Sequence, residues 1–130
     1  MTKDVRAVNN GTVALYVRAR VESVITLDSR YASRVNEIDP SLILIDVNES
    51  AWKTKSAFDG YYYYSMPLEK NTQTTSFLDS ITFSELMGNI YKGSTVTVKV
   101  VFEVVQSSGN GSTVFDAAGW PLVTSEGGEP

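Results

Sequence analysis

The sequence predicts an all-β protein: an antiparallel β-sandwich of jelly-roll-like plan, with about seven to nine short strands and one or two short helical turns. Two observations carry this. Apolar residues recur mainly at every second position, and the runs that show it are short and separated by Gly, Asn, Ser and Pro clusters. The chain has 130 residues and is 42% hydrophobic, enough for one domain to bury a core without covalent staples. The expected organisation is a single sandwich over 1–123, with residues 3–8 as an N-terminal edge strand, and a flexible polar tail over 124–130.

Asn9-Asn10-Gly11 is a turn signal, so Val5 to Val8 reads as a short strand or arm leading into the first long one. That strand starts near Val13. Val13, Leu15, Val17, Ala19 and Val21 share one face, with Tyr16, Arg18 and Arg20 on the other. Leu42 to Val47 is a β-branched apolar run between turn residues, too short for a stable helix. Ala51 to Lys55, Tyr61 to Ser65 and Ser80 to Phe83 add three further strands.

Thr95 to Val105 is the clearest strand. Val96, Val98, Val100, Phe102 and Val104 oppose Thr97, Lys99, Val101 and Glu103, a wall expected to be wet on its second face. Arg18 and Arg20 on the first long strand are positioned to pair with Glu103 or to stack on tyrosine rings. Helical turns are expected only over Ser29 to Val35 and Ser84 to Asn89, the latter with Ser84 as N-cap.

Asp59-Gly60 followed by Tyr61-Tyr62-Tyr63-Tyr64 reads as a hairpin with Trp52 to Lys55, two phenols turned to each face. Tyr62 and Tyr64, with Trp120, are the candidate exposed aromatic surface for a sugar ring or another subunit; packing is the alternative for all three.

Composition excludes several chemistries. The chain has no histidine and no cysteine, which removes the commonest general base, thiolate metal sites, disulfides and every Ser-His or Cys-His dyad. No enzymatic activity, catalytic residue, metal or cofactor is assigned. The net charge is −4 and the basic residues are scattered singly, so nucleic acid is not an expected partner. No apolar run reaches the roughly 18 residues that cross a bilayer. Either a cytosolic protein or the mature part of an exported one, with Met1 added, fits these features. Asp39, Asp46, Asn48 and Glu49 lie close in sequence but lack the spacing of a calcium loop, and read as turn carboxylates. Lys99 as an isopeptide crosslink is set against its alternating polar position, which faces water.

Several pieces occur in a distinctive order. Val8 to Thr12 is followed at once by Ala14-Leu15-Tyr16-Val17-Arg18. Then come Trp52, Asp59-Gly60 with the four tyrosines, Pro67-Leu68, Thr74-Thr75, Phe77, Ser80 to Phe83, and Val101 to Gln106. This arrangement, over roughly 5–121, resembles the TasA/camelysin-like exported proteins of Gram-positive bacteria, the group carried by SipW-type signal peptides. It departs from that group in a turn without glycine over Glu69 to Thr75, in Phe77-Leu78, and in Ala118-Gly119-Trp120. The resemblance implies a jelly-roll sandwich at the cell surface or in a biofilm matrix, without its signal peptide. It also implies a fibre subunit in which the N-terminal strand of one copy completes the sheet of the next, here Lys3, Asp4, Val5, Arg6, Ala7 and Val8. Self-association or other surface and matrix proteins are the implied partners. A carbohydrate- or ligand-binding module using Tyr62, Tyr64 and Trp120 is the alternative, with a glycan as partner. The metallopeptidase label attached to camelysin-type members has no counterpart here, because no zinc-binding His pair exists.

Overall fold

A computed structural model describes residues 4–120 and 125–126. It is a small antiparallel all-β, sandwich-like fold. Its strands are β1 (Leu15–Thr26), β2 (Ile43–Val47), β3 (Trp52–Lys53), β4 (Tyr62–Tyr64), β5 (Leu78–Phe83), β6 (Thr95–Gln106) and β7 (Ser125–Glu126). They form a five-stranded sheet in the order β3-β4-β1-β6-β7 and a two-stranded sheet of β2 and β5.

The backbone of the fold is the pairing of β1 with β6, in unbroken antiparallel register from Leu15↔Gln106 to Thr26↔Thr95. Both strands alternate as the sequence predicts. Val17 and Ala19 on β1, and Val98, Val100 and Phe102 on β6, enter one core. Val47, Leu78 and Ile81 of the second sheet close over it. Trp52 lies at its centre, fully buried, with ring centroids 5.0 Å from Tyr64, 5.1 Å from Phe77 and 5.7 Å from Phe102. Each such aromatic pair contributes about 0.5–1.5 kcal/mol beyond the area it buries.

Three expectations are corrected by the fold. The second face of β6 is wet only in part: Thr97 is exposed and Lys99 half-buried, but Val101 and Glu103 are buried, and residues 107–120 fold back over the tyrosine side of the sheet, where Val114 and Trp120 pack with Tyr16, Tyr63 and Val105. That strap is held to itself by the Asn110 amide, which donates to Gln106 O and Ala118 O and accepts from Ala118 N. Ser84 to Asn89 is not helical. Met87 N donates to Ser84 O in a single turn, Leu86 N is capped by Ser84 Oγ, and a short 3-10 turn follows over Asn89–Tyr91 after Gly88. The Asp59-Gly60 hairpin exists, with Trp52↔Tyr64 and Lys53↔Tyr63 paired, but its loop runs over 54–61 rather than turning at two residues. Gly60 takes φ +90° there, which a side chain would oppose.

The helical stretch read over Ser29 to Val35 is a 3-10 segment, Ser29–Glu37, opened by the Asp28 carboxylate accepting from Arg30 N. No residue within it is buried, so no apolar face holds it as an α-helix. Of the C-terminal tail, Ser125–Glu126 pair with Phe102 and Val101, and the remainder lies outside the described residues. No helix among the described residues is long and apolar enough to cross a membrane.

Candidate assembly site

Residues 4–9 precede the first strand and run antiparallel to 71–77, with Val8 bridged to Gln73. Lys3 lies outside the described residues. Phe77 N donates to Val5 O at 2.7 Å, Thr74 N to Ala7 O at 2.9 Å, Asn9 N to Thr72 O at 2.9 Å, and Asn71 N to Asn9 O at 2.8 Å. Two rungs use hydroxyls in place of carbonyls: Val5 N donates to Ser76 Oγ and Ala7 N to Thr74 Oγ1, each at 3.1 Å. The segment alternates strictly. Val5, Ala7 and Asn9 are buried at 4%, 9% and 1% exposure, whereas Asp4, Arg6 and Val8 face outward.

Phe77 fixes where the segment sits in the sandwich. Its N–H donates to Val5 O while its carbonyl accepts from Asn48 N at 2.9 Å. Phe77, at the bend that precedes β5, thus ties the N-terminal segment to the residue that follows β2. A groove of about 350 Å³ separates the N-terminal piece from β6, lined by Ala7, Val8, Leu15, Phe102 and Val104 among others. Residues 10–13, which link the segment to β1, are exposed.

The turn that starts the seat shows how this chain manages without the glycine expected there. Asn71 takes φ 61°, a left-handed conformation that Asn tolerates better than most residues, and Thr72 Oγ1 donates to Glu69 O at 2.6 Å.

The tyrosine strand sends its rings to two faces, but not in the expected sense. Register Arg18↔Tyr63 and Ala19↔Tyr62 puts Tyr62 beside a core residue and Tyr63 beside an outer one. Tyr64 is therefore buried, at 6% exposure, against Trp52, and half-buried Tyr62 packs edge-on against Phe77. Tyr62 and Tyr64 do not form an exposed platform. Trp120 is half-buried on the opposite face, so the three residues share no surface.

The outward pair is Tyr61 and Tyr63, and the strap covers it. The Arg18 guanidinium lies 3.8 Å from the Tyr61 ring centroid and 4.5 Å from Trp120, and its Nη2 meets Glu103 Oε1 at 2.6 Å. Tyr61 OH donates to Glu103 Oε2 at 3.0 Å, giving this buried carboxylate partners on both oxygens. Both roles expected for Arg18, pairing and stacking, occur together. Tyr63 OH donates to Asp59 Oδ2 at 2.5 Å. Burial raises the Asp59 carboxyl, but the Tyr63 hydroxyl, the Tyr61 amide and Lys55 outweigh it and hold Asp59 below the usual carboxylate range. Burial, and then Asp59, push the Tyr63 phenol up. Charge and aromatic area are consumed within the fold here, as structural groups.

Among the described residues no group of three or more His, Cys, Asp or Glu stands close enough to hold a metal ion. Asp39 caps the 3-10 turn Pro40–Leu42 by accepting from Ser41 N and Oγ, and Asn48 donates to Ser76 O. Lys99 stands opposite Glu22 in the β1–β6 ladder. The hydroxyl acceptors Thr74 and Ser76 lie in a stretch read as a turn; Thr74-Thr75 stands among the ordered pieces of the sequence, but nothing there marks it as a seat for the N-terminal segment. No family model, curated protein or solved structure matches the chain.

Proposed function

We propose that the chain is a non-enzymatic structural protein of the cell exterior, a TasA-like surface or matrix subunit whose copies join by exchanging between neighbours the strand of residues 3–8 together with Asn9, which ends it. The observation that carries this reading is the attachment of residues 4–9 to 71–77. They are held by main-chain and hydroxyl hydrogen bonds and by three small buried side chains, and they continue into β1 through an exposed link. The main-chain and hydroxyl bonds between residues 5–9 and 71–77 can be made equally by the same segment of another copy; the Asn9 side chain alone is also tied to Gly11 and Val13 of the segment's own link. The order of motifs shared with the TasA/camelysin-like group supports the same reading and is the ground for the extracellular location.

Sedimentation velocity and negative-stain microscopy of the full chain over rising concentration test it. The expected result is concentration-dependent oligomers or fibres that Ala7→Glu suppresses, because the variant places a charge at a buried position of the strand. Near-UV circular dichroism separates that effect from loss of the fold. A chain that stays monomeric at high concentration and across pH overturns the proposal.

A further inference from the structure

We propose that the seat along 71–77 selects its strand by the pattern Val-x-Ala-x-Asn, with Asn9 fixing the register, so that the partner it accepts is the matching segment of a second copy. The choice of a second copy rests on the exchange reading above; the register role does not. Asn9 is the one side chain of the segment that combines full burial with a polar amide, at 1% exposure. Its Nδ2 donates to Val13 O at 2.8 Å and to Leu68 O at 2.9 Å, and its Oδ1 accepts from Gly11 N at 2.9 Å. Its main chain meanwhile bonds Thr72 O and Asn71 N. Leu68 O also accepts from Leu15 N at 3.0 Å, so this one amide ties the incoming strand to the seat and to the point where β1 joins its own sheet.

Sliding the strand breaks this arrangement in either direction. A one-residue slip turns Asp4, Arg6 and Val8 inward and Val5 and Ala7 outward. A two-residue slip keeps the faces but brings Ala7 or Gly11 to the amide's place and carries Asn9 away from Leu68 O, the one partner of its side chain that does not move with the strand. Val5 and Ala7 alone would tolerate such a slip, both being small and apolar. The buried amide makes one register acceptable through its bond to Leu68 O, and a strand with an apolar residue in its place loses that bond while keeping the main-chain pairing to 71–77.

The chain has no cysteine, so disulfide trapping reads register directly. In full-length chains carrying Val8→Cys with either Gln73→Cys or Thr75→Cys, the 8–73 bond is expected to dominate the 8–75 bond roughly tenfold while Asn9 is present. Asn9→Leu should bring the two yields to within about twofold, with Asn9→Ser in between. The serine variant keeps the test open if the leucine variant does not fold. Unchanged 8–73 preference in both variants overturns the register role. Exchange is read separately, by mixing chains that carry Val8→Cys alone with chains that carry Gln73→Cys alone. If the single-chain preference holds but no mixed dimer forms, the second copy is overturned as partner and Asn9 fixes only its own strand.

Discussion

The tyrosine hairpin and the N-terminal segment both pack into one core, but they are held by opposite means. The hairpin brings Trp52, Tyr62 and Tyr64 into an aromatic cluster with Phe77 and Phe102, and its two strands are joined by their own loop. Its energy lies in ring area that no other segment could supply. The N-terminal segment brings a valine, an alanine and an asparagine, and most of what holds it is hydrogen bonding that any extended strand of the right pattern can offer. On the proposed exchange reading the first is a fixed part of the core and the second a removable one, although Val5 and Ala7 are packed into the same core.

Trp52→Ala should give the largest effect, because it removes the ring at the centre of the cluster and leaves a cavity. A loss of about 3–5 kcal/mol is expected in urea unfolding. Its indole N–H has no partner among the described residues, so Trp52→Phe should cost clearly less than the alanine variant. If Trp52→Ala proved nearly neutral, the hairpin would not be a fixed core element.

Glu103→Ala comes next. Breaking a buried pair costs about 3–5 kcal/mol, but Arg18 keeps some exposure and two ring faces, so the low end of that range or less is expected. The same variant should loosen the strap, raising amide exchange in 107–120 before it does so in 71–77.

Asp59→Asn should have the smallest effect, about 1 kcal/mol or less near neutral pH. The Asp59 carboxyl is depressed in the folded chain, so its contribution is present above the ordinary carboxylate value and is lost as pH falls through the folded value. The native chain should therefore lose thermal stability more steeply than Asp59→Asn on acidification below about pH 4. Parallel melting curves of the two proteins would remove Asp59 from this role. Tyr63 acts in the opposite sense. Its raised phenol contributes below about pH 10, and that contribution is lost as pH rises through the folded value.

Legibility followed pattern strength. In β1 and β6 apolar and polar residues alternate, so their faces, and the meeting of Arg18 with Glu103, could be read from the chain. The tyrosine run could not be oriented in the same way. Four identical residues carry no alternation, so only the register with Arg18 and Ala19 decides which rings enter the core. The covering of Glu103 was hidden for another reason: residues 107–120 are mostly small and polar, with Val114, Phe115 and Trp120 spaced without a period, so nothing in the sequence shows that these three fold back onto Tyr16, Tyr63 and Arg18. The N-terminal segment was legible as an extended arm. Its docking site was not, because Thr74 and Ser76 act through hydroxyls replacing main-chain acceptors, for which sequence has no period.

The proposed exchange of the N-terminal segment is tested most directly by mixing two full-length chains, one carrying Val8→Cys and the other Gln73→Cys, under mild oxidation. These two positions are bridged across the seat, and neither protein has another cysteine. A mixed disulfide dimer that accumulates with chain concentration, and that is lost when Ala7→Glu is added to the Val8→Cys chain, is the expected product. Only unlinked chains, together with efficient closure within one chain carrying both cysteines, would show that the segment stays in its own fold.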